Sequence, residues 1–332
     1  MILANLFQQR QSAGRRERML FGLEELFYRL VIVPLIAFLP ARLAYGLACL
    51  RGDCRYRLQR AMREQIMDNL ADVLGAQLSA AERARITRDF FRRRSCEMID
   101  AMRLAGSGRA LARLVEIRGM EHIEAALAAG KGVLLCSAHF GSFNSCFSLL
   151  GACGFPVTAV GDWRSTYDAS MPAFQRFLWR LLQEKRVGRH RRRPNIEPEK
   201  ERFGTAMRMV EVLRSNEVIT MALETPIPAE DRARAVPVDF LGHRIRLLAG
   251  SVSVAQLTGS PLLMLVVHRQ ADWRHQVLEI SAPVTLDGDP ASAFRRCMEM
   301  VEAPIRQHLA YWDYWSGTRA LVDLGLLSTH TR

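Results

Sequence analysis

Gly132-Val133-Leu134-Leu135-Cys136-Ser137-Ala138, followed at once by His139-Phe140-Gly141-Ser142-Phe143-Asn144, is the stretch that decides the fold. A strand with one wet face alternates apolar and polar residues; a strand covered on both faces reads as a continuous apolar run. Gly132 to Ala138 is such a run and predicts a buried central strand. It stops at a histidine, and a helical stretch follows to Gly151. In α/β sheets the carboxyl end of a strand, just before a helix, is where ligands bind. His139 sits there, and histidine is the natural general base near neutral pH.

Working outward, Ile117-Arg118-Gly119-Met120 reads as a short strand and turn, and Glu121 to Ala129 as a helix ended by Gly130. Upstream, Arg60 to Leu74 and Ala81 to Leu104 carry a helical apolar period. Downstream, Phe155–Val160, Val218–Leu223, Leu262–His268 and Gln276–Ile280 read as strands, and Val236–Phe240 with Arg244–Leu247 as a hairpin. Helices are predicted at about 170–184, 201–214, Ser251–Leu257 and 290–311. Strands alternating with helices predict an α/β layered fold.

The chain has 332 residues, 49% apolar content and a net charge of +12. That supports one sizeable core, with room for two small domains. So basic a chain expects an anionic partner: nucleic acid, an anionic membrane surface or a phosphorylated substrate. There is no helix-turn-helix, zinc-finger or RNA-binding signature, which sets nucleic acid aside. The seven cysteines are odd in number and lack metal spacing, so reduced core residues are expected. There is no P-loop, G-x-G-x-x-G, G-x-S-x-G or H-x-x-x-D, which counts against nucleotide enzymes, α/β hydrolases and chloramphenicol-type acyltransferases.

The N-terminus shows no signal-peptide pattern. Leu30 to Ala41 is uncharged, and extension to Leu50 adds only Arg42 with prolines at 34 and 40. The expectation is a helix entering the membrane interface, a break at Leu39-Pro40, and then an amphipathic helix; an ordinary buried helix is the alternative. Ten arginines against four acids in residues 1–60 would face the cytoplasm and anionic headgroups. Residues 1–55 are assigned to this membrane-associating segment and residues 56–332 to the catalytic domain.

Lys185 to Arg193 holds six Lys or Arg and no acid. It reads either as a solvated loop or as a phosphate- or membrane-binding loop, with Arg189 and Arg191 as candidate substrate contacts. Glu224 and Asp162 each end a predicted strand, where a carboxylate can serve the site or simply face solvent.

An ordered set of motifs then extends the reading. Arg118-Gly119-Met120-Glu121, Gly130-Lys131-Gly132-Val133, the His139–Asn144 stretch, Val238-Asp239-Phe240-Leu241-Gly242, Ala249-Gly250 and Thr258-Gly259-Ser260-Pro261 occur in sequence, preceded by Asp68-Asn69-Leu70 and followed by Tyr311-Trp312-Asp313-Tyr314-Trp315. Together they resemble the lysophospholipid acyltransferase superfamily, and within it the lipid A late (lauroyl or myristoyl) acyltransferase branch. The resemblance implies a glycerolipid acyltransferase-like fold: a mixed central sheet flanked by helices, with an N-terminal membrane-associating helical segment. It implies an O-acyltransferase of lipid biosynthesis on the cytoplasmic face of a bacterial inner membrane. The donor would be acyl carrier protein or acyl-CoA, the acceptor a lipid or other amphiphile, and no metal or bound cofactor is required. His139 would be the base, Arg164 a substrate clamp, and Ser142 a further substrate-binding residue.

The family motif is H-x4-D/E, and this chain has Asn144 in place of the acid. An amide can orient an imidazole but carries no charge, and loss of the charge in an analogous triad costs about 10⁴ in turnover. Three outcomes stay open: Asn144 orients the ring alone, another carboxylate such as Glu224 or Asp162 takes over, or the chain is a catalytically altered or inactive member acting as a membrane-associated binding partner.

Overall fold

The computed structural model describes residues 31–104, 109–161, 195–196, 202–227 and 229–328. The predicted helix at 170–184, the basic run Lys185–Arg193, and Asp162, Arg164, Arg189 and Arg191 lie outside the described residues. Among the described residues five α-helices precede the first strand: α1 (Val33–Phe38), α2 (Ala41–Leu58), α3 (Arg60–Leu74), α4 (Ala80–Leu104) and the single turn α5 (Arg109–Ala112). The break falls at Leu39-Pro40, where Leu39 is extended with ψ 159°, because a proline ring disfavours helical backbone in the residue before it.

α2 does not stop at residue 55 but continues to Leu58, packed along α4. Gly52 permits the close approach, since a Cβ there would lie 2.6 Å from the Arg92 Cα. Ala44, Tyr45 and Ala48 are buried against α4, whereas Leu35, Phe38, Leu43, Leu47 and Leu50 are exposed. The α1–α2 pair thus has a buried seam and an exposed apolar side. No helix among the described residues is long and apolar enough to cross a membrane.

The sheet elements follow as β1 (Val115–Arg118), α6 (Met120–Ala128), β2 (Val133–Ser137), α7 (Phe143–Ala152), β3 (Val157–Ala159), α8 (Arg202–Arg214), β4 (Val218–Ala222), the hairpin β5 (Val236–Phe240) and β6 (His243–Leu247), α9 (Gly250–Thr258), β7 (Leu262–Arg269), β8 (Gln276–Ile280), α10 (Pro290–Gln307) and α11 (Thr318–Leu324). The six-stranded order is β1-β8-β7-β2-β4-β3. β2, β3, β4 and β7 run parallel, and the β7–β8 pair is antiparallel, so the sheet is mixed as the sequence predicts.

β2 has both faces covered. Leu134 and Cys136 join one hydrophobic cluster with α3, α8, α9, α10 and the C-terminal tryptophans; Val133 and Leu135 join another with α6 and α7. That two-sided burial is the reason for the unbroken apolar run. Cys96, Cys136, Cys146 and Cys297 are buried and Cys54 and Cys153 exposed, all of them unpaired.

One element differs in extent. The helix expected over 290–311 ends at Gln307, after an internal Pro304, where His308 leaves helical geometry at φ −133°. The next residues form short turns over Leu309–Tyr311 and Asp313–Ser316. Leaving the helix there lets the segment cross the carboxyl end of β2, a tertiary demand that periodicity does not report.

Candidate active site

β2 and β4 are parallel neighbours with Ser137 opposite Ala222. Two residues beyond each strand end stand His139 and Glu224, so the register itself sets them side by side. His139 Nδ1 lies 3.2 Å from Glu224 Oε1. The His139 backbone N–H and, at 3.2 Å, the Trp312 indole N–H donate to the same oxygen. Glu224 is fully buried while the His139 side chain is 31% exposed. Glu224 Oε2 is buried without a partner among the described residues.

Burial lowers the His139 pKa, but the Glu224 carboxylate and hydrogen bond, with help from Asp313, overcome it and raise the value above the ordinary 6.5. With Nδ1–H directed at the carboxylate, the tautomer leaves Nε2 as the lone-pair nitrogen. Phe143 and Tyr314 close around the ring at centroid distances of 5.4 and 4.9 Å. Gly141 is required by the turn: its φ is +57°, and a Cβ would fall 2.5 Å from the Val267 carbonyl oxygen.

The other motif residues separate. Among the described residues the Asn144 side chain makes no hydrogen bond to His139; only its carbonyl is used, accepting from Ser148 Oγ. The first turn of α7 carries Asn144 away while β4 delivers Glu224 to the His139 ring. The Ser142 hydroxyl donates to Asp100 Oδ2 at 2.9 Å and accepts from Arg269 Nη2 at 3.2 Å.

The C-terminal segment supplies residues that the sequence reading named only as part of a Trp-rich stretch. Asp313 N–H donates to the His139 carbonyl at 2.9 Å, Gly141 N–H donates to the Tyr311 carbonyl at 2.8 Å, and Phe140 bridges Trp312. A sequence signal existed: His308 to Asp313 has the H-x4-D spacing. Yet His308 stacks on His268 at 5.0 Å, while Asp313 pairs with Arg93.

Residues 23–315 match the bacterial lipid A biosynthesis acyltransferase family. The chain belongs to this family. Within it, a lipid A biosynthesis acyltransferase of Haemophilus influenzae is 25% identical over 189 residues, 57% of this chain and 54% of that protein. The chain thus spans about half the length of that curated relative. In this chain the carboxylate that meets His139 comes from the end of β4.

Proposed function

We propose that this protein is a membrane-associated acyltransferase that moves an acyl chain from acyl carrier protein or acyl-CoA to a hydroxyl or amine of a lipid A-like or other amphiphilic acceptor. The observation that carries the reading is the His139–Glu224 contact at the carboxyl ends of β2 and β4. Nε2 of His139 takes the proton of the acceptor hydroxyl, and the oxygen attacks the thioester carbonyl. The C–S bond then breaks, and the leaving thiolate takes a proton. Glu224 holds the ring and stabilises the imidazolium. Asn144 has no part in orienting the base.

Arg164, Arg189 and Arg191 serve the anionic parts of the donor or acceptor, and an acidic carrier protein suits a surface this basic. The exposed Leu35, Phe38, Leu43, Leu47 and Leu50, with the arginine-rich N-terminus, support seating on the cytoplasmic face of a bacterial inner membrane. The test compares lipid extracts of a deletion strain and wild type by mass spectrometry, with complementation by His139→Ala. A missing acylated species that the wild-type gene restores and His139→Ala does not supports the proposal. Complementation by His139→Ala, with no turnover in the purified wild type, favours a binding partner without chemistry.

A further inference from the structure

Among the described residues, Arg93 is the largest charged side chain that is fully buried. Nothing in its sequence context on α4 predicts this, since the stretch Arg92-Arg93-Arg94 reads as a solvated face. A buried guanidinium is costly unless every donor is used and its charge is matched. Its Nε donates to the Ala310 carbonyl at 2.9 Å, its Nη2 to Asp313 Oδ1 at 2.6 Å, and its Nη1 to Glu97. Two of these partners belong to the segment that crosses the site.

Asp313 joins the two ends of the arrangement. Its carboxylate is taken by Arg93 and approached by Arg94 at 3.5 Å, while its backbone N–H holds the His139 carbonyl. We propose that Arg93 and Asp313 are a positioning pair for His139: Arg93 clamps the Ala310–Asp313 segment across the site, and Asp313 fixes the His139 backbone and adds a second negative charge to the one from Glu224. This deepens the function proposed above and rests on His139 acting as the base.

The charged and titratable groups around the imidazole are Glu224 beyond β4, Asp313 and Tyr314 of the C-terminal segment, and Arg93, Arg94 and Glu97 of α4 beside Asp313. Burial pushes the Asp313 carboxyl up, but Arg93 and Arg94 more than offset this and hold it below the usual carboxylate range. Asp313 therefore stays ionised beside the ring across the working pH range. Its field favours the imidazolium, in the same direction as Glu224. The family acid missing at position 144 is in this way replaced by two carboxylates with divided work, one hydrogen-bonded to the ring and one acting through its field and backbone.

The test is an NMR titration of the His139 ring in full-length, histidine-labelled protein, with the signal assigned by loss in His139→Gln. Asp313→Asn nearly conserves shape and removes the charge; the His139 midpoint should fall by about one pH unit. Arg94→Gln removes a partly exposed cation without opening the core, and the midpoint should rise. The acid limb of kcat/KM should move with each midpoint. A purely structural role would lower stability and leave both midpoints where they are in wild type, and that result overturns the inference. If Asp313→Asn fails to fold, the direction found for Arg94→Gln decides alone. Shifted midpoints in a protein that transfers no acyl group would refute the function and leave the positioning pair standing; normal transfer with unshifted midpoints would do the reverse.

Discussion

Two polar clusters lie three residues apart on one loop, and they differ in their exposure to solvent. At Ser142 the cluster is closed to solvent, although Arg269 Nε is a buried donor without a partner among the described residues. Asp100 is fully buried and accepts from Tyr45 at 2.6 Å, from Ser142 at 2.9 Å and from Arg269. Arg269 also lies over the Tyr45 ring and reaches the Trp273 carbonyl at 3.0 Å. The cluster ties α2, α4, the motif loop and β7 into one piece. At His139 the cluster is open: the imidazole is partly exposed, and one carboxylate oxygen behind it is unpartnered. A network shut off from solvent rigidifies, while one open to it retains a group able to exchange a proton. The contrast teaches that neighbouring polar residues of one motif can divide scaffold from chemistry.

The largest expected effect belongs to the open cluster. His139→Ala should remove about 10²–10⁴-fold of the turnover and leave the melting temperature near that of wild type, as measured by single-turnover assay and thermal unfolding. Retained turnover with the true substrates would make both clusters structural and erase the contrast.

Glu224→Gln should come next. It keeps the shape and loses the charge behind the ring, so kcat should fall by about 10²-fold or more. Asn144→Ala in the same assay should cost less than about threefold, because a side chain that does not touch the ring orients nothing. The reverse order of damage would return the orienting role to Asn144.

The closed cluster should answer through stability instead. Asp100→Ala leaves the buried Arg269 without its carboxylate and should cost about 3–5 kcal/mol in denaturant unfolding. Tyr45→Phe should cost about 1 kcal/mol. The folded fraction of each variant should keep its kcat. A drop in kcat at unchanged stability would show that the closed cluster also serves the reaction.

The smallest expected effect is in pH dependence. The base form of His139 is needed for proton abstraction, and its pKa is raised above 6.5. The acid limb of kcat/KM should accordingly have its midpoint above 6.5, and Glu224→Gln should lower that midpoint. The same shift contributes to stability. Because the folded-state value is raised, the contribution is fully present below the unfolded value and is lost as pH rises through the folded one. Wild type should therefore lose stability relative to His139→Gln across that window, measured by urea unfolding.

The sequence by itself determined the layered fold and the position of His139. Continuous apolar runs mark strands buried on both faces, and Gly132–Ala138 could be nothing else once helices flanked it. The change from that run to His139, then to a helix, put the histidine at a sheet end by local rules alone. The Leu39-Pro40 break was legible for the same reason, since proline acts on its own neighbour. Partner choice was not legible. Glu224, Asp162 and Asn144 were all candidates in the sequence, and only the in-register pairing of β2 with β4 sets Glu224 against the His139 ring. The bond from the Ser142 hydroxyl to Asp100 on α4 was equally out of reach of local rules. Arg93 and Asp313, 220 residues apart, meet only because α10 ends at Gln307 and the chain turns back across the sheet. Periodicity and turn chemistry are short-range. The charges that set the state of one imidazole were assembled by contacts between distant elements, and only the folded chain holds that information.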